Sequence, residues 1–359
     1  MKSRKTIAFF GSSLTSAYWN GAATYYRGII RALSARGFDV TFYEPDAYDR
    51  LQHRDLAPPP WAKVVVYSGT DAQEARRALE NARSADIVVK ASGVGVFDDL
   101  LTEGVLSNRR SGSIVVYWDV DAAATLDALS ADPDAVLRRR LPEFDLVFTY
   151  GGGPPVVEAY ERLGARLCVP IYNALDPETH HRVDSDPRFE ADLAFLANRL
   201  PDREARANEF FFEVASSLAD RSFLLGGNGW EPHRLPSNVA YVGHVYTRDH
   251  NAFNSTPLAV LNVARDSMAD MGYSPATRVF EAAGAGACII TDAWRGIDSF
   301  LEPGREILVA RDGAEVAAIL SSLDASRARA VGDAARRRVL SEHTYERRAD
   351  EVVEALSRL

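Results

Sequence analysis

Short apolar runs recur along this chain with helical stretches between them, and that alternation restricts its fold more than any other feature. The first series is Thr6–Phe10, Val40–Tyr43, Lys63–Tyr67, Ile87–Lys90, Ile114–Trp118, Leu146–Tyr150 and Leu167–Pro170. Such alternation builds a parallel sheet with helices on both faces. The pattern then breaks: YNALDPETHHRVDSDP is polar and rich in turn formers, as suits a hinge between domains. A second series follows at Asp192–Leu196, Phe223–Leu225, Val239–Val242, Leu258–Leu261, Cys288–Thr291 and Ile307–Val309, with a helix expected over Glu204–Leu218. Two α/β domains in tandem are therefore expected, and 359 residues suit two cores.

Composition narrows the partners. Hydrophobic residues make up 47% and charged residues 25%, enough for an ordinary core in each half. A net charge of -9 with a pI near 5.4 argues against nucleic acid or an anionic membrane as the main partner. Any phosphate must then be held by local arginines and backbone. Cys168 and Cys288 lie in separate apolar runs, which reads as two buried thiols in a reducing compartment with no disulfide and no metal spacing. MKSRKTIAFFG holds too few apolar residues for a signal peptide, and no run reaches the length of a membrane span, so a cytoplasmic setting is expected. His180-His181 has no partnering Cys, His or carboxylate array nearby in sequence, and reads as an exposed loop without metal.

The stretch from Leu258 to Asp292 carries the sharpest chemistry. A buried strand is followed by a polar loop from Asn262 to Tyr273, after which Ser274 as N-cap and Pro275 at N1 open a helix. Gly284 and Gly286 are expected to stop that helix before CIIT starts the next strand. A helix N-terminus at a strand's carboxyl end offers free N–H groups and partial positive charge to a phosphate. Arg278 and Glu281 share one face of the helix. This pattern suits a nucleotide, with guanidinium on phosphate and carboxylate on ribose hydroxyls; a simple surface i, i+3 salt bridge is the other reading.

Other strand ends of the second series carry the same residue types. Asn198-Arg199 ends one, with Arg203 close behind. Gly226-Gly227-Asn228-Gly229 ends the next, and Val242-Gly243-His244 ends a third, where backbone can bracket a flat base. Asn262 and Arg265 end the fourth. Glycines and arginines thus converge on one sheet edge, where α/β proteins bind ligands. In the first series, Gly11, Ser12 and Gly21 form a glycine loop after the first strand, a substrate contact or a plain tight turn. Trp118-Asp119-Val120-Asp121 ends another strand; Asp121 reads as a helix cap, and Asp119 is open to orienting an acceptor hydroxyl or acting as a base. No G-x-G-x-x-G or G-x-x-x-x-G-K-[ST] occurs, so neither dinucleotide binding nor a P-loop is supported.

FLANR, GNGW, VGHV, LNVARDSM, RVFEAAGAGACIITD, PGREIL and EHTYERRADEVV together resemble the C-terminal half of GT-B-type glycosyltransferases of the "glycosyl transferases group 1" family, and within it the CgeB-like branch. The resemblance runs from about Asp192 to the end. It implies two Rossmann-like domains facing across a cleft: residues 1–172 binding the acceptor, 173–344 binding a nucleotide sugar, and a helix over 345–359 crossing back to the N-terminal domain. It also implies no metal, no cofactor beyond the nucleoside-diphosphate sugar, and a lean toward retention at the anomeric carbon.

Carried over by position, Glu281 matches the glutamate that binds the donor ribose. Arg278 sits in the same RxFE segment, Arg199 and Arg265 resemble the basic residues near the diphosphate, all three being expected to meet its charge during catalysis, and Val242-Gly243-His244 resembles the segment at the base. Asn198, Gly227, Asn228, Asn262, Tyr273 and Ser274 complete the expected donor site. Gly11, Ser12, Gly21, Trp118 and Asp119 are the candidate acceptor wall, Asp119 being positional in a retaining enzyme and the first candidate base in an inverting one. One departure stands out: eight positions before Glu281, where many relatives carry a second glutamate, this chain has Tyr273. A nucleotide-sugar epimerase of the same architecture, or a coat or scaffold protein that has lost catalysis, are the competing expectations.

Overall fold

The computed structural model describes residues 4–16, 22–52, 54, 56–231 and 234–359. The chain divides into two compact units, one of residues 1–172 with 345–359 and one of residues 173–344.

The first unit holds strands β1 (Thr6–Phe10), β2 (Asp39–Asp46), β3 (Lys63–Ser68), β4 (Ile87–Ala91), β5 (Ile114–Asp119), β6 (Leu146–Thr149) and β7 (Cys168–Pro170). They form one sheet in the order β3-β2-β1-β4-β5-β6-β7, parallel at every pairing. Helix Ala22–Ala35 lays Tyr25, Tyr26, Ile29, Ile30 and Leu33 against the sheet, a 3.6-residue stripe. Phe9 is the hub of this core, stacked on Phe42 at 5.3 Å, edge-on to Tyr26 at 5.4 Å and tilted against Trp118 at 5.6 Å. The chain's last helix, Tyr345–Ser357, packs on the outer side of helix Ala22–Ala35. A Cβ on Gly28 would lie 2.2 Å from the Tyr345 ring, and Arg36 Nε donates to Asp350 Oδ1 at 2.7 Å.

The second unit holds β8 (Leu193–Leu196), β9 (Phe223–Gly226), β10 (Val239–Gly243), β11 (Ala259–Asn262), β12 (Ile289–Asp292) and β13 (Leu308–Ala310), in the order β10-β9-β8-β11-β12-β13, again all parallel. Its core gathers Phe195, Phe211, Phe223, Leu225, Leu261 and Ile290. The helix expected over Glu204–Leu218 is present as Glu204–Ala207, a π-helical turn at Asn208–Phe212 and Glu213–Ser217. That wider turn sets Phe211 between Phe195 and Phe223, at 5.4 and 5.7 Å.

In both sheets the chain starts in the middle and grows first one way, then the other. The reversal points lie between β1 and β4 and between β8 and β11. Open α/β sheets bind ligands at the strands' carboxyl ends beside such a point.

Three local expectations need correction. The segment after β11 is not all loop, because Asp266–Met271 forms a short helix. The next helix is Thr277–Ala285, capped at Ala276 with no side-chain bond; Ser274 Oγ donates to Gly272 O and Pro275 precedes the helix. Gly286, at φ +75°, ends it, whereas Gly284 sits inside, where a Cβ would come 2.3 Å from Leu175. The glycine there allows close packing, and only Gly286 serves as the left-handed cap.

Candidate active site

The switch point of the second unit is flanked by the segments that leave β8 and β11. After β8 come Asn198, Arg199 and Arg203; after β11 come Arg265 and, beyond the short helix, Arg278 and Glu281 on helix Thr277–Ala285. The loops are tied together. Asn228 N donates to Asn198 Oδ1 at 2.9 Å, Arg199 N to Asn228 O at 2.9 Å, and Gly227 N to Gly243 O at 2.7 Å. Gly227 has φ +115° and a Cβ there would meet the Ala197 carbonyl at 2.0 Å, so this position requires glycine. Val242 stands out of the β9–β10 ladder at a register shift and is exposed, while Asn228 Nδ2 and His244 Nδ1 lie 3.2 Å apart. Asn198, Gly227, Asn228, Val242, Gly243 and His244 are therefore brought together, as the sequence suggested.

The arginines divide into two kinds. Arg199 is engaged by Glu204 at 2.7 Å and Glu231 at 3.5 Å, and Arg265 Nε donates to Asp202 Oδ2 at 2.7 Å. By contrast, Arg203 Nε and Arg278 Nη1 are buried and find no hydrogen-bond partner among the described residues. Burial lowers the Arg203 guanidinium below its ordinary value; Asp202 opposes this, and the Arg265 and Arg278 charges add to it. Three like charges thus converge near the start of a helix with no acidic residue in its first turn. A cationic cluster with orphaned N–H groups is a receptor for an anion. In the sequence Arg203 stands only as an arginine close behind the end of β8. The burial of its Nε, invisible in sequence, is what makes it a candidate.

Glu281 is buried at 7% exposure. Its Oε2 lies 3.8 Å from Arg278 Nη1 and its Oε1 3.6 Å from His180 Nε2. Burial pushes its carboxyl up, but the His180, Arg278 and His250 charges outweigh that and hold it below its ordinary value. His250 is pushed down to about 4, mainly by burial and the Arg278 charge. The structure corrects the expectation of an exposed His180-His181 loop: His181 is exposed, but His180 is buried. It joins His250 and Glu281 so that one donor atom from each lies within 4.8 Å of the others. These three residues are separated by 70 and 31 positions in sequence, and no spacing signal could have joined them.

Other predicted donor residues have local partners. Asn262 is buried and donates to Thr291 Oγ1 at 3.0 Å, joining β11 to β12. Tyr273 is held at φ +46°, its N–H donating to Arg295 O at 2.6 Å and its ring beneath the Arg295 guanidinium. A bulky residue in this region stores backbone strain, which clusters at functional segments.

In the first unit, Gly21 lies outside the described residues. Gly11 and Ser12 are buried, and Gly11 N donates to Tyr43 O at 3.2 Å. The loop after them is organised by the buried Glu44, which accepts from Leu14 N and Thr15 Oγ1, both at 2.7 Å. Trp118 is corrected from acceptor wall to core: it is 1% exposed, with Nε1 donating to Tyr25 OH at 3.0 Å. Asp119 is also buried. Oδ1 accepts from Asp121 N at 3.0 Å and Thr125 Oγ1 at 2.9 Å, and Oδ2 accepts from Tyr160 OH. Burial raises its carboxyl above the ordinary value. Asp119, not Asp121, thus anchors the following helix, since Asp121 makes no side-chain cap bond. A carboxylate so enclosed is a strand-end anchor and not an exposed base.

Two all-parallel sheets of seven and six strands, each with a central switch point, make this an α/β protein of the GT-B fold. Residues 203–354 match the family described as "Glycosyl transferase-like". Among solved structures, Anabaena Alr3699/HepE in complex with UDP-glucose is similar over 99% of this chain and 100% of that one, with a TM-score of 0.67 and 14% identity. Sucrose-phosphate synthase from Thermosynechococcus elongatus matches over 99% of both chains, with a TM-score of 0.69 and 15% identity. An alpha-glucosyltransferase in complex with UDP-glucose and DNA containing an abasic site gives a TM-score of 0.71 at 11% identity, over 98% of this chain and 99% of that one. Comparison with curated proteins gives no match. Among the described residues, no helix is long and apolar enough to cross a membrane.

Proposed function

We propose that this protein is a glycosyltransferase that moves a sugar from a nucleoside-diphosphate sugar to an acceptor. The observation that carries the reading is the arrangement at helix Thr277–Ala285. Arg203 Nε and Arg278 Nη1 are buried without hydrogen-bond partners among the described residues, and one helical turn behind Arg278 stands the buried Glu281 carboxylate. The arginines suit a diphosphate and the carboxylate a ribose diol. The family match over residues 203–354 and the solved structures with UDP or UDP-glucose support the same donor class, and a UDP-sugar is the first candidate.

In the proposed reaction, the bond between the sugar's anomeric carbon and the diphosphate oxygen breaks, and its electron pair leaves with the nucleoside diphosphate. Arg203, Arg278 and the N-terminus of helix Thr277–Ala285 meet that charge, with Arg199 and Arg265 held close by their own carboxylates. The acceptor oxygen bonds the anomeric carbon and passes its proton to the departing phosphate oxygen. No metal takes part in this scheme. The enclosure of Asp119 supports retention, because it takes the first candidate base out of an acceptor's reach. The acceptor is assigned to the first unit, around the loop after β1, and Tyr273 in place of a second glutamate favours the CgeB-like branch. Two buried free thiols favour a reducing, cytoplasmic setting.

A thermal-shift panel of nucleoside diphosphates and their sugar conjugates, in chelator, tests the reading. A ligand that binds only the folded protein raises its melting temperature. A shift with one nucleoside diphosphate and its sugar conjugate supports transfer. Silence across the panel with folded protein overturns it in favour of a scaffold.

A further inference from the structure

We infer that His180, His250 and Glu281 form a binding site for a transition-metal dication of the zinc type. All three residues belong to one unit, and one donor atom from each lies within 4.8 Å of the others. The histidines are prepared for it. His180 Nδ1 is 3.0 Å from Thr179 Oγ1, and His250 Nε2 is 3.2 Å from the Val245 carbonyl. Each ring thus has one nitrogen satisfied by an oxygen outside the cluster. The opposite nitrogens, His180 Nε2 and His250 Nδ1, are buried with no hydrogen-bond partner among the described residues. Metal-binding histidines have this arrangement, in which an outer oxygen fixes the tautomer and directs the other lone pair inward.

The gap between His180 Nε2 and Glu281 Oε1 points the same way. At 3.6 Å it is too long for a hydrogen bond. An ion at ordinary zinc distances from both atoms would subtend about 120°, close to the tetrahedral angle. Two imidazoles and a carboxylate suit zinc or cobalt better than magnesium or calcium, which take oxygen ligands. Three protein ligands also leave a coordination position open. Arg278 is the opposing charge, 3.8 Å from Glu281 Oε2, and it weakens the site without blocking Oε1.

A metal on Glu281 would compete with the donor ribose, a consequence that rests on the proposed donor site. The ion is therefore an inhibitor of transfer and not its cofactor.

The test uses the full chain, freed of metal with chelator and then titrated with cobalt(II) while its visible absorption is followed. One equivalent is expected, with binding weakened at least tenfold in both His180→Gln and His250→Gln. Arg278→Gln is expected to tighten it. Melting curves confirm that each variant is folded; if one histidine variant is not, the other decides. Cobalt binding that is unchanged in a folded histidine variant overturns the site, as does absence of binding by the wild type. Uridine, which keeps the ribose diol but lacks the chelating diphosphate, added in excess to the cobalt form separates the two claims. Displacement of cobalt supports a metal site shared with the donor, whereas cobalt that stays bound supports the metal site and removes Glu281 from the donor site.

Discussion

Arg278 Nη1 and His180 Nε2 approach opposite oxygens of the Glu281 carboxylate, at 3.8 and 3.6 Å. Both distances exceed hydrogen-bond range, so the carboxylate is held by charge and remains open to a better partner. A ribose diol would provide two such bonds. Hydrogen bonds to charged groups contribute roughly 1.5–3 kcal/mol, so Glu281→Ala should weaken binding of the nucleoside diphosphate about 10- to 100-fold. The 2′-deoxy nucleotide should bind the wild type weakly and lose little more in the variant. Equal losses for the two nucleotides would place the ribose elsewhere.

Arg203 and Arg199 predict different outcomes. Arg203 has a buried Nε without a partner among the described residues, whereas Arg199 is occupied by Glu204 and Glu231. Arg203→Ala should therefore reduce diphosphate affinity about tenfold or more relative to the free nucleoside. Arg199→Ala should change it only a few-fold. Calorimetric titrations of both ligands into each variant measure the difference.

Much of this was legible in the sequence, for a physical reason. Strands buried on both faces must be continuous apolar runs, and the runs Ile87–Lys90 and Leu258–Leu261 fall within a residue of the strands Ile87–Ala91 and Ala259–Asn262. Glycines at turns were legible too, since Gly227 at a strand end and Gly286 at a helix end satisfy backbone demands that sequence records locally. Side-chain burial was not. Trp118 and Asp119 stand at a strand end where ligands commonly bind, yet Tyr25 and Tyr160 close over them from helices distant in sequence. Arg203, His180 and His250 became candidates only because of what surrounds them. The helix start was displaced to Thr277 because Ser274 bonds back to Gly272 instead of capping forward.

Asp119 separates anchor from base. Asp119→Asn keeps an acceptor for Thr125 and should leave turnover within a few-fold of wild type. Asp119→Ala removes both buried oxygens and should lower the melting temperature by several degrees, about 1–3 kcal/mol of stability. A loss of turnover by orders of magnitude in Asp119→Asn, with the melting temperature retained, would restore the base.

Asp86 gives the first unit an acid-sensitive joint. Its Oδ2 accepts from Thr6 N at 2.9 Å and Thr6 Oγ1 at 3.0 Å, and Arg110 reaches Oδ1 at 2.9 Å. The Thr6 backbone bond is the main cause that holds this carboxyl below its ordinary value of 3.8; burial opposes it, and the Thr6 hydroxyl and Arg110 add to it. Because the folded value is the lower one, the contribution is present above the unfolded value and lost as pH falls through the folded one. Wild-type melting temperature should drop more steeply below about pH 4 than that of Asp86→Asn, with the two curves converging in acid. Parallel curves would remove the joint.

Gly28 measures the docking of the last helix. Any Cβ there meets the Tyr345 ring at 2.2 Å. Gly28→Ala should destabilise by about 1–3 kcal/mol through overpacking. Gly37→Ala, at an open turn with φ +90°, tests backbone strain without that collision. Equal melting temperatures for wild type and Gly28→Ala would mean that the helix yields.

The most direct measurement is a calorimetric titration of UDP and UDP-glucose, in chelator, into the wild type and into Glu281→Ala. Saturable, metal-free binding by the wild type, weakened about 10-fold or more in the folded variant, is the predicted result. Binding of equal strength in both proteins would contradict the donor site at Glu281.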